Sequence, residues 1–359
     1  MPKIDRLQQP IRRQTREVRV GRVVIGSSAH VSIQSMLSVP LTDFSQAVAQ
    51  AERLAEAGCD IIRVAVPDKR TAATLKEFRQ AVKLPLVADI HFDYHLALAA
   101  VDAGFDKLRI NPGNIGDPER VKAVAEAAKN REIPIRIGVN AGSLPADLAN
   151  SPDTAQAMVT AALREVEHLE SVDFRDIVVS MKSHDVLATV RANQIFAEMS
   201  DIPIHLGVTE AGLPGAGTIK NAVGIGSLLL DGIGDTIRVS LTGDPALEIV
   251  AGRHILRASG HHVRGVELVS CPTCGRSRVD VESIALEVER RIPIIDKHIV
   301  VAIMGCEVNG PGEARDADIG FAGTADGFIV FEKGEVCGKI SGECPIEAII
   351  KRIEAFIMQ

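Results

Sequence analysis

Short apolar segments of strand length alternate with amphipathic segments of helical length, and this alternation recurs eight times before residue 260. The helical segments include SQAVAQAERLAEAG and PERVKAVAEAAKN. The predicted strands are SIQSM (32–36), IIRVAVP (61–67), PLVADIH (85–91), KLRINPG (107–113), PIRIGVN (134–140), IVVSMKS (177–183), PIHLGVTE (203–210) and TIRVSLTG (236–243). Eight strand–helix units in about 250 residues are typical of a closed barrel of parallel strands. The predicted fold class is therefore α/β, with a (β/α)8 TIM barrel.

An open, doubly wound sheet is the alternative arrangement for alternating strands and helices. That fold carries a glycine-rich phosphate-binding turn after its first strand. Here the first strand runs into QSMLSV, which contains no glycine. The sequence therefore favours the closed barrel.

The pattern changes near residue 260, after RASGHHVRG. Mixed strand segments and two helical segments follow, together with all but one of the six cysteines. We predict two domains, a TIM barrel over residues 1–260 and a smaller α+β domain over residues 261–359.

Composition excludes several classes of function. The formal net charge is −7 and only 3% of the residues are aromatic, so the chain has neither the basic surface nor the stacking side chains of a nucleic-acid-binding protein. No segment approaches the roughly 20 apolar residues that span a bilayer. The N-terminal segment is rich in Arg but contains Asp5 and Glu17 and lacks the apolar run of a secretory signal, so we expect a cytoplasmic protein. Cysteines in such a protein indicate metal or redox chemistry more than disulfides.

Cationic side chains lie within otherwise apolar predicted strands of the barrel. They are Arg63, Arg109, Arg136, Lys182 and Arg238. Burying a charge is costly unless a counter-charge or a water-filled mouth receives it. The catalytic groups of TIM barrels lie at the C-terminal ends of the strands, and paired Arg donors suit phosphate oxygens, so the pattern favours a ligand that bears a diphosphate.

Two other interpretations of these strand ends remain open. The cations could form salt bridges inside the barrel with Asp89 and Glu210. Alternatively, Asp89, His91 and Glu210 could form a metal centre, because carboxylates and imidazole are common metal ligands.

The second domain contains CPTC, which places Cys271 and Cys274 at the spacing that lets two thiolates reach one metal centre. Cys306 follows the strand segment HIVVAIMG and supplies a third thiol. A zinc site closed by Cys337 or Cys344 and an iron-sulfur cluster both fit these thiols. Glu313, beyond a Gly-Pro-Gly turn in GCEVNGPGEA, offers a more exchangeable ligand for a reactive cluster.

Seven segments together resemble one family, the (E)-4-hydroxy-3-methylbut-2-enyl diphosphate synthases of the methylerythritol phosphate route to isoprenoids, in its compact bacterial form. They are VADIHFDY, LRINPGNIG, IPIRIGVNAGSL, HLGVTEAG, GIGDTIRVSL, CPTC and GCEVNGPGEA, in family order and at compatible spacing. The resemblance covers nearly the whole chain. It implies reductive ring opening and dehydration of 2-C-methyl-D-erythritol 2,4-cyclodiphosphate to the linear diphosphate, with two electrons delivered singly.

The resemblance also implies the functional residues. A 4Fe-4S cluster would be held by Cys271, Cys274, Cys306 and Glu313. Glu210 would be the catalytic carboxylate. The substrate-binding residues would be Arg63, Asp89, His91, Arg109, Arg136, Asn140, Lys182, Thr209, Arg238, Ser240 and Asn309.

The family implies two kinds of protein partner, namely flavodoxin or ferredoxin as the electron donor, and a second copy of the chain in a homodimer whose cluster domain closes the partner barrel. Beyond the resemblance, Arg276, Arg278, Lys333 and Lys339 lie close in sequence to cysteines of the second domain. They are candidates to dock an acidic donor, and an ordinary solvated face is the alternative interpretation. The chain departs from the family after the first strand, where the family reads QSMTNT, so a polar contact from Leu37 or Val39 is not expected. Cys59 is interpreted as a packing residue.

Overall fold

The computed structural model describes residues 10–261, 264–292, 295, 297–308, 312, 314–341 and 345–358. The chain divides into two compact units between residues 261 and 262.

The first unit contains eight parallel strands. They are β3 (Ser32–Met36), β4 (Ile61–Ala65), β5 (Leu86–Asp89), β6 (Lys107–Ile110), β7 (Ile135–Asn140), β8 (Ile177–Lys182), β9 (His205–Leu206) and β10 (Thr236–Ile237). Neighbouring strands pair in chain order from β3 to β8, and β10 pairs with both β9 and β3. A parallel bridge between Val179 and Ile204 joins β8 to the segment before β9 and closes the sheet. The predicted TIM barrel is confirmed.

Helices follow the barrel strands. They are α1 (Phe44–Glu56), α2 (Lys69–Ala72), α3 (Leu75–Ala81), α4 (Tyr94–Asp102), α5 (Pro112–Ile115), α6 (Pro118–Asn130), α7 (Thr154–Glu170), α8 (Val186–Met199), α9 (Pro214–Leu230) and α10 (Pro245–Ala258), with a 3-10 turn at Ala141–Ser143. Aspartates cap the starts of several of them; Asp185, for example, accepts backbone N–H bonds from Leu187 and Ala188. The longer helices bury an apolar stripe, as α6 does with Val121, Val124, Ala125 and Ala128.

Two predicted strands are much shorter in the structure. Within 203–210 and 236–243, only His205–Leu206 and Thr236–Ile237 pair regularly. The backbone then turns, since Glu210 has a φ of 53°, in the left-handed region that few residues other than glycine adopt. The ends of these strands therefore belong to the loops at the mouth of the barrel.

A hairpin that the sequence did not predict precedes the barrel. It consists of β1 (Val18–Val20) and β2 (Val23–Ile25), paired antiparallel. Val20 and Ile25 pack with Ile61 and Val87, which lie in the first halves of their strands. The hairpin therefore packs against the N-terminal end of the barrel, opposite the predicted site.

The second unit is a mixed five-stranded sheet with two helices. Its strands, in the order in which they pair, are β11 (Gly265–Ser270), β12 (His298–Met304), β13 (Ile319–Thr324), β14 (Gly327–Glu332) and β15 (Glu335–Ile340). The first three are parallel and the last two add antiparallel hairpins. Helices α11 (Val281–Arg291) and Pro345–Ile357 supply Ile284, Val288, Ile349 and Ile353 to the core. Among the described residues, no helix is both long enough and apolar enough to cross a bilayer.

Candidate active site

Asp89, the last residue of β5, is the central carboxylate of the barrel mouth. Its oxygens lie 3.8 Å from Arg63 Nε, 3.3 Å from Arg109 Nη1 and 3.5 Å from His91 Nε2. Burial alone would raise the pKa of Asp89, but Arg63, a hydrogen bond from His91, and Arg109 hold this pKa well below its usual range. Asp89 is therefore ionised at neutral pH and fixes the two arginines.

Arg109 is oriented by the neighbouring strand as well as by Asp89. Its Nη2 donates to the Gly138 carbonyl at 3.1 Å, and its Nη1 lies 3.2 Å from His91 Nδ1. A Cβ at Gly138 would come within 2.6 Å of Arg109 Nε, so this glycine makes room for the guanidinium. Asn111 Oδ1 accepts a bond from the Gly138 N–H at 3.0 Å and fixes that backbone.

Arg136 and Lys182 extend the positive charge around the barrel. Arg136 is 1% exposed, and its Nε and Nη1 make no hydrogen bond within the part of the chain that is described. Burial and the neighbouring arginines lower the pKa of both Arg136 and Lys182 well below their ordinary values. A buried guanidinium with open donors favours an anionic ligand over the salt-bridge interpretation, because internal pairing would have satisfied it.

Arg238 has a carboxylate partner that sequence reasoning missed. Glu248 on α10 is 3% exposed and lies 3.3 Å from Arg238 Nη2. Glu248 also accepts bonds from Ser35 Oγ at 3.0 Å and from the Leu241 N–H at 3.1 Å. The available signal was a glutamate within the apolar stripe of a helix, where a charge needs a buried partner.

Three predicted residues line a cavity of about 440 Å³ at the mouth, namely Asn140, Thr209 and Glu210. Ser183 and His184, which the sequence analysis did not select, also line it. Asn140 pairs in register with Lys182, which connects this cavity to the cationic group. Ser240 is half-buried, and its backbone carbonyl accepts a bond from Asn221 Nδ2 at 3.2 Å.

The loop after the first barrel strand is held by a helix side chain. Gln50 Oε1 accepts the backbone N–H bonds of Ser38 and Val39 at 2.9 and 3.2 Å, and Leu37 is buried. Cys59 is also buried, and burial raises the pKa of its thiol to about 12, which fits the predicted packing role.

Cys271 and Cys306 lie just beyond the C-terminal ends of two adjacent parallel strands. Cys271 directly follows β11, and Cys306 follows β12 by two residues. The Gly305 N–H donates to Cys271 Sγ at 3.1 Å, and the Gly305 carbonyl accepts the Arg278 N–H at 2.8 Å. These backbone bonds tie the CPTC loop to the segment that carries Cys306.

The three thiols are free and differ in exposure. Cys306 is buried, Cys271 is half-buried and Cys274 is exposed. Cys337 lies on β15, three strands from β12. At about 4.8 Å per strand, its thiol is too far away to bind the same metal centre as Cys306. Asn309, Glu313 and Cys344 lie outside the described residues. Within the described ranges, no group of three or more His, Cys, Asp or Glu is arranged around a single metal position.

The fold and the site together define a two-unit protein with a cation-lined TIM barrel and a thiol-bearing α+β unit. Residues 15–253 match the GcpE TIM-barrel domain, and residues 267–355 match the GcpE protein C-terminal domain. The chain belongs to the GcpE family.

Curated relatives are similar to nearly the whole chain. The chain is 51% identical over 351 residues to the 4-hydroxy-3-methylbut-2-en-1-yl diphosphate synthase (flavodoxin) of Caldanaerobacter subterraneus subsp. tengcongensis, covering 97% of this chain and 99% of the relative. It is 51% identical over 345 residues to the protein of the same name from Clostridium perfringens, covering 96% and 99%. The family resemblance found in the sequence is confirmed.

Solved structures support the barrel alone. The dihydropteroate synthase of Stenotrophomonas maltophilia superposes with a TM-score of 0.52 at 13% identity, over 68% of this chain and 98% of that chain. At this identity the likeness extends to the fold and no further.

Proposed function

We propose that this protein is a 4-hydroxy-3-methylbut-2-en-1-yl diphosphate synthase. It opens and dehydrates 2-C-methyl-D-erythritol 2,4-cyclodiphosphate to give (E)-4-hydroxy-3-methylbut-2-enyl diphosphate, as a step of isoprenoid biosynthesis. The observation that carries the proposal is the buried cationic mouth, with open donors on Arg136, in a member of the GcpE family.

The barrel side chains bind and orient the diphosphate. Arg63 and Arg109 are fixed by Asp89, and Arg238 is fixed by Glu248, so these guanidiniums are preorganised for the anion. The other residues that we assign to substrate binding are His91, Arg136, Asn140, Lys182, Thr209, Ser240 and Asn309. Since several donors are held before the ligand arrives, little reorganisation accompanies binding.

Glu210 is the proposed proton donor of the barrel. It lines the cavity beside Asn140 and Thr209, and its positive φ is a local strain of the kind that persists at functional sites. Ring opening and loss of water require a proton at a departing oxygen, and a carboxylic acid in the cavity can deliver it.

The chemistry of the donor set in the second unit fits a 4Fe-4S cluster. Three free cysteines lie in the segments that follow two adjacent strands, and the Gly305 N–H already bonds to Cys271 Sγ, as amide groups do around cluster sulfurs. Cys271, Cys274, Cys306 and Glu313 would hold the cluster. When bound, it supplies two electrons, one at a time.

Two protein partners belong to the proposal. The electron donor is flavodoxin, which the names of the relatives mention, or ferredoxin as a small protein of the same role. The second partner is another copy of the chain. Helix α9 exposes Ile219, Val223 and Leu230, an apolar surface that supports a homodimer in which each cluster domain closes the other barrel. A cytoplasmic location suits thiolates that must remain reduced.

The test begins with protein purified without oxygen from cells with intact iron-sulfur assembly. We expect about four irons and four sulfides per chain, and conversion of the cyclodiphosphate with either reduced flavodoxin or a chemical reductant. Cys306→Ser should lose sulfide and turnover together, whereas Cys59→Ser, which alters a thiol of the other unit, should keep its iron and sulfide. Stoichiometric zinc without sulfide, or a full cluster without turnover, would contradict the proposal.

A further inference from the structure

Lys107 is buried inside the barrel, deeper than the cationic mouth. It is the first residue of β6 and lies two residues before Arg109, so both side chains point to the same face of the strand. Lys107 is 0% exposed, and its Nζ makes no hydrogen bond with the described residues. Native proteins rarely leave a buried ammonium group without a partner, so this amine needs an explanation.

The charged groups around Lys107 are cations. The positive charges of Arg136 on β7 and Arg63 on β4 repel an ammonium group at Lys107. His205 on β9 is also fully buried, and neither of its ring nitrogens has a hydrogen-bond partner in the described part of the chain. Burial lowers the pKa of His205, and the positive charges of Lys182, Arg136 and Lys107 lower it further. All of these groups therefore belong to one electrostatic cluster.

Among the described residues, the carboxylates that influence this cluster lie beside the arginines of the barrel mouth. Asp89 raises the pKa of Arg63 and Arg136, and Glu248 raises the pKa of Arg63. Among the described groups, neither carboxylate contributes to the shift in the pKa of Lys107. Burial, followed by Arg136 and Arg63, lowers the pKa of Lys107 well below its ordinary value.

We infer that Lys107 is a proton-binding site coupled to the anion site above it, a neutral amine when the mouth is empty and an ammonium when a diphosphate is bound. One proton moves from the solvent to Nζ as the anion enters, and no other bond forms or breaks. The negative charge of the ligand favours the ammonium form, and by reciprocity the ammonium strengthens anion binding. The inference rests on the proposed function for the identity of its ligand.

Coupling of this kind gives binding a definite pH dependence. Because complex formation takes up a proton, the affinity falls as the pH rises through the range in which free Lys107 is neutral. The expected slope is about tenfold in Kd per pH unit for one proton. His205 lies in the same cluster and its pKa is lowered by burial and the same cations, so the Lys107 variants below are needed to distinguish protonation of Lys107 from protonation of His205.

The test is calorimetric titration of the oxidised holoenzyme with the cyclodiphosphate, without reductant, in HEPES and in Tris at equal pH and salt. The heats should differ by the ionisation enthalpies for about one proton per site. Lys107→Met should abolish this difference, whereas Lys76→Met, which removes an exposed lysine from α3, should retain it. Heats that do not depend on the buffer in the natural protein would overturn the inference. Full uptake in K107M would also overturn it and would assign the proton to Lys182 or His205.

Two additions separate the possible failures. Lys107→Arg keeps the positive charge but cannot release its proton, so it should also lose the uptake, and it replaces K107M if that variant does not fold. If the cyclodiphosphate does not bind, the proposed function fails, and inorganic pyrophosphate becomes the probe of Lys107. If neither anion binds, both proposals fail. A merely structural role for Lys107 would change the melting temperature without changing the proton count.

Discussion

Asp89 is one carboxylate that serves several cations, and this makes it the most sensitive single residue of the barrel mouth. Of its partners, Arg109 is buried and Arg63 is partly buried, at 8% and 13% side-chain exposure. Removing one member of a buried ion group leaves the others uncompensated, which typically costs about 3–5 kcal/mol.

Asp89→Asn should therefore lower the free energy of unfolding of the barrel by about 3–5 kcal/mol at pH 7. Because the pKa of Asp89 is depressed in the folded state, its contribution is complete above about pH 4, near the unfolded value, and is lost as the pH falls toward the folded value. The difference between the natural protein and D89N should therefore shrink below pH 4. Urea unfolding between pH 3 and pH 7 measures this.

Asp173→Asn is the matched control. Asp173 pairs with Lys129 at 2.6 Å on the surface, where both side chains are more than half exposed, so solvent screens the pair and little stability should be lost. A D89N penalty as small as that of D173N, or one that stays constant down to pH 3, would contradict the central role of Asp89.

At the residue scale, strand alternation predicted the cations and Asp89, because side chains two apart share a face. It could not predict Glu248, because that residue lies on a helix and its role depends on how α10 packs behind Arg238. Nor did it indicate that Lys107 and His205 lie in the same electrostatic cluster as the mouth, since their positions early in the strands resemble ordinary packing sites.

At the scale of elements, two strand segments place a glycine where an inward side chain would otherwise stand. Gly138 on β7 faces Arg109, and a Cβ at Gly207 would lie 2.7 Å from Lys182 Nζ. The strands thus leave space inside the barrel for long cationic side chains. The motifs RIGVN and HLGVT contain this signal, because each has a glycine two residues after an inward polar side chain.

Gly138→Ala should displace the Arg109 guanidinium, because the added Cβ would lie 2.6 Å from its Nε. The clash involves the end of a flexible side chain, so we expect the stability to change little while the Kd for the cyclodiphosphate rises about tenfold, corresponding to the loss of one charged hydrogen bond. Gly338→Ala on β15, a strand glycine at which a Cβ would meet nothing within 4 Å, is the control and should bind normally. Equal affinity in both variants would count against the positioning of Arg109 by Gly138.

The barrel elements were largely predictable because hydrophobic periodicity and Pro or Gly boundaries mark them. The hairpin β1–β2 was not, since strands of three residues are too short to show an alternating pattern. The predicted strands at β9 and β10 were too long for a related reason. Apolar residues continue in the sequence past the point at which the backbone leaves the sheet.

At the scale of the whole molecule, an acidic protein carries basic side chains beside its thiols. The formal net charge is −7, yet Arg276 and Arg278 are exposed next to the CPTC segment. Local positive charge steers an acidic partner and raises its association rate.

Reversing both arginines (R276E and R278E) should lower flavodoxin-dependent turnover about tenfold at low salt while sparing turnover with a chemical reductant. The paired control reverses Arg19 and Arg22 in the exposed part of the hairpin β1–β2, and it should leave both assays unchanged. Equal loss with both reductants in R276E/R278E would exclude a docking role.

A barrel that encloses polar side chains without hydrogen-bond partners also affects how long the protein persists in the cell. TIM barrels usually fill their interior with branched apolar side chains. Here Arg136, Lys107 and His205 lie inside it, and Nε and Nη1 of Arg136, Nζ of Lys107 and both ring nitrogens of His205 make no hydrogen bond with the described residues. A ligand present at 100 times its Kd would add about 2.7 kcal/mol to the folded state. Proteolysis should therefore remove the empty protein faster than the occupied one, so that the supply of the anion sets the abundance of the enzyme that consumes it.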